Sequence, residues 1–112
     1  MSGRLPSELL ARALIRRVHD AGGSAMVLAR GEPTGGAFLI ALVARGAPLR
    51  LLERGIGPDG STALIESGPR ERDDASIDDY WRRRVARDPD LWVIELDVAD
   101  GERFVAETIA LG

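Results

Sequence analysis

Ala37-Phe38-Leu39-Ile40-Ala41-Leu42-Val43-Ala44 is the longest apolar run in the chain, with no polar residue at any position. A membrane-spanning helix needs about 20 such residues, so the run is too short to span a bilayer. It also lacks the in-out alternation of a strand wetted on one face, and reads as a β-strand buried on both faces at the centre of a sheet. Immediately before it, Gly31-Glu32-Pro33-Thr34-Gly35-Gly36 has turn composition, and Ser24 to Arg30 reads as a preceding strand joined through a hairpin loop. Further upstream, Leu10, Leu14, Val18 and Ala21 recur at helical spacing with Ala11 beside them, while Glu8, Arg12, Arg16, His19 and Asp20 share the other side. This predicts an amphipathic helix from Pro6 to Ala21, started by a proline suited to the first turn and stopped by Gly22-Gly23.

On the other side of the run, Arg45-Gly46-Ala47-Pro48 turns the chain into a strand at Leu49–Arg54. A loop of ordinary turn chemistry, Gly55 through Pro58-Asp59-Gly60, leads to a shorter strand at Ser61–Glu66. Such short connections favour an antiparallel meander. A charged loop, Ser67 to Ala75, precedes a second helix in which Ser76 reads as the N-cap, with Asp79 at the capping-box position. Ile77, Trp81 and Val85 form its apolar stripe, and Asp78 with Arg82, like Asp79 with Arg83, is spaced for an ion pair. Asp88-Pro89-Asp90 ends it, because the residue before proline avoids helical geometry. The remainder reads as a hairpin of Leu91–Val98 and Glu102–Thr108 about the loop Ala99-Asp100-Gly101, a register that faces Leu96 with Phe104 and Asp97 with Arg103. The expected architecture is a single α+β domain over residues 1–112: an antiparallel β-meander with a C-terminal hairpin, and two amphipathic helices packed on the sheet.

With 112 residues, 45% hydrophobic and 29% charged, the chain has enough apolar material for one core and lies far from a disordered composition. It contains no cysteine, which removes disulfides, thiolate metal sites and cysteine nucleophiles and fits a reducing compartment. All fifteen basic residues are arginine, so a Walker-type lysine, a Schiff base and a lysine general base are excluded. Met1 to Leu14 holds no apolar signal core, and the expected location is the cytoplasm, away from membranes.

Few residues invite a chemical role. His19, the single histidine, falls on the polar side of the first helix with no oriented partner, and reads as a solvated side chain. The Gly31–Gly36 loop precedes a strand, whereas a phosphate-cradling loop opens a helix. The acids Glu71, Asp73, Asp74, Asp78 and Asp79 fit no cation-loop spacing and are interleaved with arginines, so they read as a salt-bridged face. No catalytic, cofactor-binding or metal-binding residue is assigned, and no cofactor is implied. Glu53, Glu95 and Asp97 would serve an enzyme only if two of them converged in a cleft. The sharpest cluster is Arg82, Arg83, Arg84 and Arg87 with Tyr80 alongside and Trp92 beyond, a candidate interaction surface. Residues 69–90 carry six arginines against seven acids, which withholds the positive field that nonspecific nucleic-acid binding needs. Residues 1–60 carry eight arginines and five acids, and residues 61–112 seven and thirteen, an asymmetry suited to self-association or a polar partner and equally to internal pairing of the two halves.

The segment Arg87-Asp88-Pro89-Asp90-Leu91-Trp92-Val93-Ile94-Glu95, taken with Leu9 to Arg17, resembles a family of small alphaproteobacterial proteins catalogued as domain of unknown function 1491. The resemblance implies a standalone bacterial protein of about this size and transfers no catalytic or binding residue. Trp92, Ile94 and Leu96 alternate toward one face, as in a core strand. The functional expectation is a non-catalytic domain that binds an unknown protein partner or forms a homo-oligomer; the alternative is nucleic-acid or phosphorylated-ligand binding through the arginines of the second helix.

Overall fold

A computed structural model describes residues 5–44 and 47–110. The elements follow as α1 (Ser7–Asp20), β1 (Ser24–Ala29), β2 (Phe38–Leu42), β3 (Arg50–Ile56), β4 (Thr62–Ser67), α2 (Asp74–Arg87), β5 (Trp92–Asp97) and α3 (Gly101–Val105), which runs on into a π-helical turn at Ala106–Ala110. The turn expected at Arg45–Pro48 falls partly outside the described residues.

The strands form one five-stranded sheet in the order β1-β5-β2-β3-β4. Its centre is the strand expected there: every residue of β2 is buried, and Leu39 and Ile40 have no exposed surface. The meander is confined to β2-β3-β4, whose neighbours are antiparallel. β5 enters between β1 and β2, parallel to β2 and antiparallel to β1, so the sheet is mixed. Because β4 and β5 run the same way, the connection between them must cross the sheet, and α2 makes that crossing.

The expected C-terminal hairpin is absent. A hairpin partner would need an open side of β5, and both sides are taken by β1 and β2. Residues 102–108 therefore leave the sheet: Asp100 turns the chain in a left-handed conformation (φ 58°), and the helix that follows buries Phe104, Val105, Thr108 and Ile109 on one face. Gly101 is packed so closely that a Cβ there would lie 2.5 Å from Leu42 Cδ2.

The Gly31–Gly36 loop also departs from the hairpin reading, since β1 and β2 are not neighbours. It bridges over the start of β5, with Glu32 N–H donating to the Asp90 carbonyl (3.0 Å) and Trp92 N–H to the Ala37 carbonyl (2.8 Å). Its carbonyls at Pro33 and Thr34 accept from the N–H groups of Glu8 (2.8 Å) and Ser7 (3.0 Å), the otherwise unpaired donors of the first turn of α1. This loop offers acceptors to a helix N-terminus, the reverse of a phosphate cradle.

The two helices expected on the sheet lie on opposite faces. α1 and the C-terminal helix cover the face carrying Phe38, Ile40, Leu42, Trp92, Ile94 and Leu96. α2 places Ile77 and Trp81 on Leu39, Leu51, Leu91 and Val93 of the other. It starts three residues earlier than Ser76 suggests: Asp73 is the N-cap, and its carboxylate accepts from the backbone (2.8 Å) and hydroxyl (2.9 Å) of Ser76.

Candidate interaction surface

α2 brings five of the six candidate residues together and leaves them unequal. Arg84 reaches down to β3 and grips Glu53 with both guanidinium nitrogens, at 2.8 and 3.0 Å, and donates to the Tyr80 hydroxyl at 3.1 Å. Ser67 adds a third hydrogen bond to the same Glu53 carboxylate. These donors, Arg84 first, hold the Glu53 carboxyl below its ordinary value against the opposing effect of burial, and Glu53 in turn, ahead of Tyr80, raises the Arg84 guanidinium further. Arg84 and Tyr80 are thus parts of a tether between α2 and the sheet. Arg83 pairs with Asp79 at 2.9 Å, as its spacing predicts. Arg82 instead lies 4.7 Å over the Trp81 ring, and Asp78, its expected partner, accepts from the Trp81 indole at 3.2 Å. Arg82 and Arg87 are exposed and have no carboxylate partner among the described residues.

Trp92 is not on this surface. It lies 2% exposed on the opposite face of the sheet, its indole N–H donating to the Glu32 carbonyl at 2.9 Å and its ring stacked 6.1 Å from that of Phe38. Alternation along β5 sends Trp92 toward α1 and Val93 toward α2.

The acidic cluster is dispersed in the same way: Asp73 caps α2, Asp78 and Asp79 are engaged along it, and the described residues hold no group of three or more metal-ligating side chains. His19 is exposed. Glu53 is tied to Arg84, two strands away from Glu95 and Asp97 on β5. A concavity of about 660 Å³ lies at the C-terminal ends of β2 and β5, beside Arg50, Asp97, Asp100 and Glu102. Arg50, the one arginine lining it among the described residues, is already paired with Glu66 (2.9 Å) and Glu102 (2.7 Å).

Sequence reasoning passed over the outer edge of β1. Ser24-Ala25-Met26-Val27-Leu28-Ala29 contains no charged residue, pairs only with β5 among the described residues, and leaves Met26 59% and Val27 42% exposed. Its uncharged composition was a visible signal, since edge strands are ordinarily guarded by charge. β4, the opposite edge, has that guard in Glu66, which pairs with Arg50 and Arg72.

The profile of the family described as "Protein of unknown function (DUF1491)" matches residues 5–106. The chain belongs to the DUF1491 family. Its fold is similar to that of a DUF1491 family protein from Caulobacter crescentus, whose crystal structure is 30% identical, covers 90% of this chain and 94% of its own, and superposes with a TM-score of 0.75. An NMR structure of a DUF1491 protein from the same organism is 32% identical, covers 89% of this chain and 91% of its own, and has a TM-score of 0.71. Protein Atu0922 from A. tumefaciens is 27% identical over 87% of this chain and 88% of its own, with a TM-score of 0.67. No protein with a curated description matches. No helix among the described residues of this DUF1491 chain is long and apolar enough to cross a membrane.

Proposed function

We propose that this DUF1491 chain is a non-catalytic cytoplasmic domain that works by self-association, two copies joining the outer edges of their β1 strands into one continuous sheet. The observation that carries this reading is the uncharged, open β1 edge with Met26 and Val27 exposed on it. In a two-fold contact the same patch meets itself, so a strand without charge suffers no repulsion from its copy. The absence of cysteine supports the cytoplasmic setting.

Sedimentation of the full chain over a range of concentrations tests it. A concentration-dependent dimer is expected, and Met26→Lys with Val27→Lys should leave a folded monomer, because both side chains are already in water. A chain that is monomeric throughout, or a dimer indifferent to the lysines, would remove the reading.

A second reading rests on Arg82 and Arg87, exposed without carboxylate partners among the described residues. It assigns α2 to nucleic acid or a phosphorylated ligand. Binding of that kind weakens steeply as salt rises, so a salt-independent contact, or one unchanged by Arg82→Glu with Arg87→Glu, excludes it.

A further inference from the structure

A second concavity lies on the α1 face of the sheet, between the first turn of α1 and the π-helical turn. Its volume is about 340 Å³, and Leu5, Leu10, Phe38 and Ile109 supply its apolar wall. That is room for about a dozen non-hydrogen atoms, at the ~30 Å³ a water molecule claims in the liquid. Strand β3 lines it with two charged residues, Glu53 and Arg54. Glu53 turns to α2 and Leu52 to the α1 core, so alternation carries Arg54 to the α1 side, where it lines the groove.

Arg54 differs from the other half-buried arginines of the described residues. Arg17 pairs with Glu107 at 2.6 Å, Arg50 with Glu66 and Glu102, Arg72 with Glu66 at 3.0 Å, and Arg84 with Glu53. Arg54 is equally half-buried and has no carboxylate partner among the described residues. The nearby acids are engaged elsewhere: Glu53 by Arg84 and Ser67, and Glu32 by the backbone N–H groups of Thr34 (2.9 Å) and Gly35 (2.5 Å). A guanidinium partly withdrawn from water and paired with no carboxylate of the described residues is an anchor for a planar anion, and a carboxylate matches its paired donors.

We propose that this groove binds a small organic acid, its apolar body seated among Leu5, Leu10, Phe38 and Ile109 and its carboxylate paired with Arg54. The site is independent of the β1 edge. The probe is octanoate, with octanol as its uncharged counterpart, titrated into the full-length ¹⁵N-labelled protein. Octanoate should give saturable amide shifts at Leu10, Phe38, Arg54 and Ile109, and octanol should bind at least tenfold more weakly. Arg54→Gln should lower octanoate affinity about tenfold while leaving that of octanol unchanged. The wild-type comparison of acid with alcohol stands whether or not the variant folds. Absence of saturable shifts, equal affinity for acid and alcohol, or shifts confined to other residues would overturn the proposal. So would groove resonances that respond to protein concentration and not to octanoate, which would give the groove to a second copy of the chain.

Discussion

Glu53 and Arg84 lie 31 positions apart, yet they meet in a two-point ion pair between sheet and helix. The side chains are 19% and 29% exposed, between a surface pair worth little and a buried pair whose breaking costs several kcal/mol. Replacing Glu53 by Gln should therefore lower unfolding free energy by about 1–3 kcal/mol at neutral pH. The pH dependence has a definite sign. A carboxyl held below its ordinary value of 4.5 stabilises the fold above that value, and the contribution disappears as pH falls through the lowered folded value. Denaturant melts of wild type and Glu53→Gln should differ fully at pH 7, and the gap should narrow below about pH 4.5. A gap that stays constant down to pH 3 would show that the carboxylate charge contributes nothing.

Among the elements, the Gly31–Gly36 bridge has the tightest steric requirement. A Cβ on Gly36 would meet the Asp90 carbonyl and stand 2.9 Å from the Glu32 carbonyl, both backbone atoms with no freedom to move aside. At Gly35 the nearest neighbour is 3.8 Å away. Gly36→Ala should cost about 1–3 kcal/mol, as overpacking does, and Gly35→Ala should be near neutral; thermal melts of the two variants decide it. The sequence carried no sign of this bridge. Six residues of turn composition between two strands describe a hairpin equally well, and only the arrival of β5, some sixty residues later, makes them a bridge. The same limit governs residues 102–108. Phe104, Ala106 and Thr108 alternate as a strand would, while Phe104, Val105, Thr108 and Ile109 satisfy a helix, and the tie is broken by β5 having no free side. Patterns answered from within one element were legible: the apolar run of β2, the stripe Ile77-Trp81-Val85, and the inward alternation of Trp92, Ile94 and Leu96. Of the candidate surface, the grouping on α2 was readable from helical spacing. The diversion of Arg84 to Glu53 and of Trp92 to the far face was not, because each depends on a contact between distant segments.

Across the whole molecule, one sheet separates two apolar layers that share no side chains. Truncations on opposite faces should therefore act independently. Val18→Ala under α1 and Ile77→Val under α2 should each destabilise by about 0.5–2.5 kcal/mol, and the double variant by their sum within about 0.5 kcal/mol. A larger discrepancy in a double-mutant cycle would mean that strain passes through β2 and β5 from one layer to the other. β5 also sets the order of events when the protein is made. Synthesis proceeds at about 5–20 residues per second from the N-terminus, so β1 through β4 leave the ribosome while the slot between β1 and β2 is empty. During those seconds the nascent chain presents an apolar strand with unsatisfied peptide groups, a natural client for a chaperone and the point at which a neighbouring nascent chain can intrude.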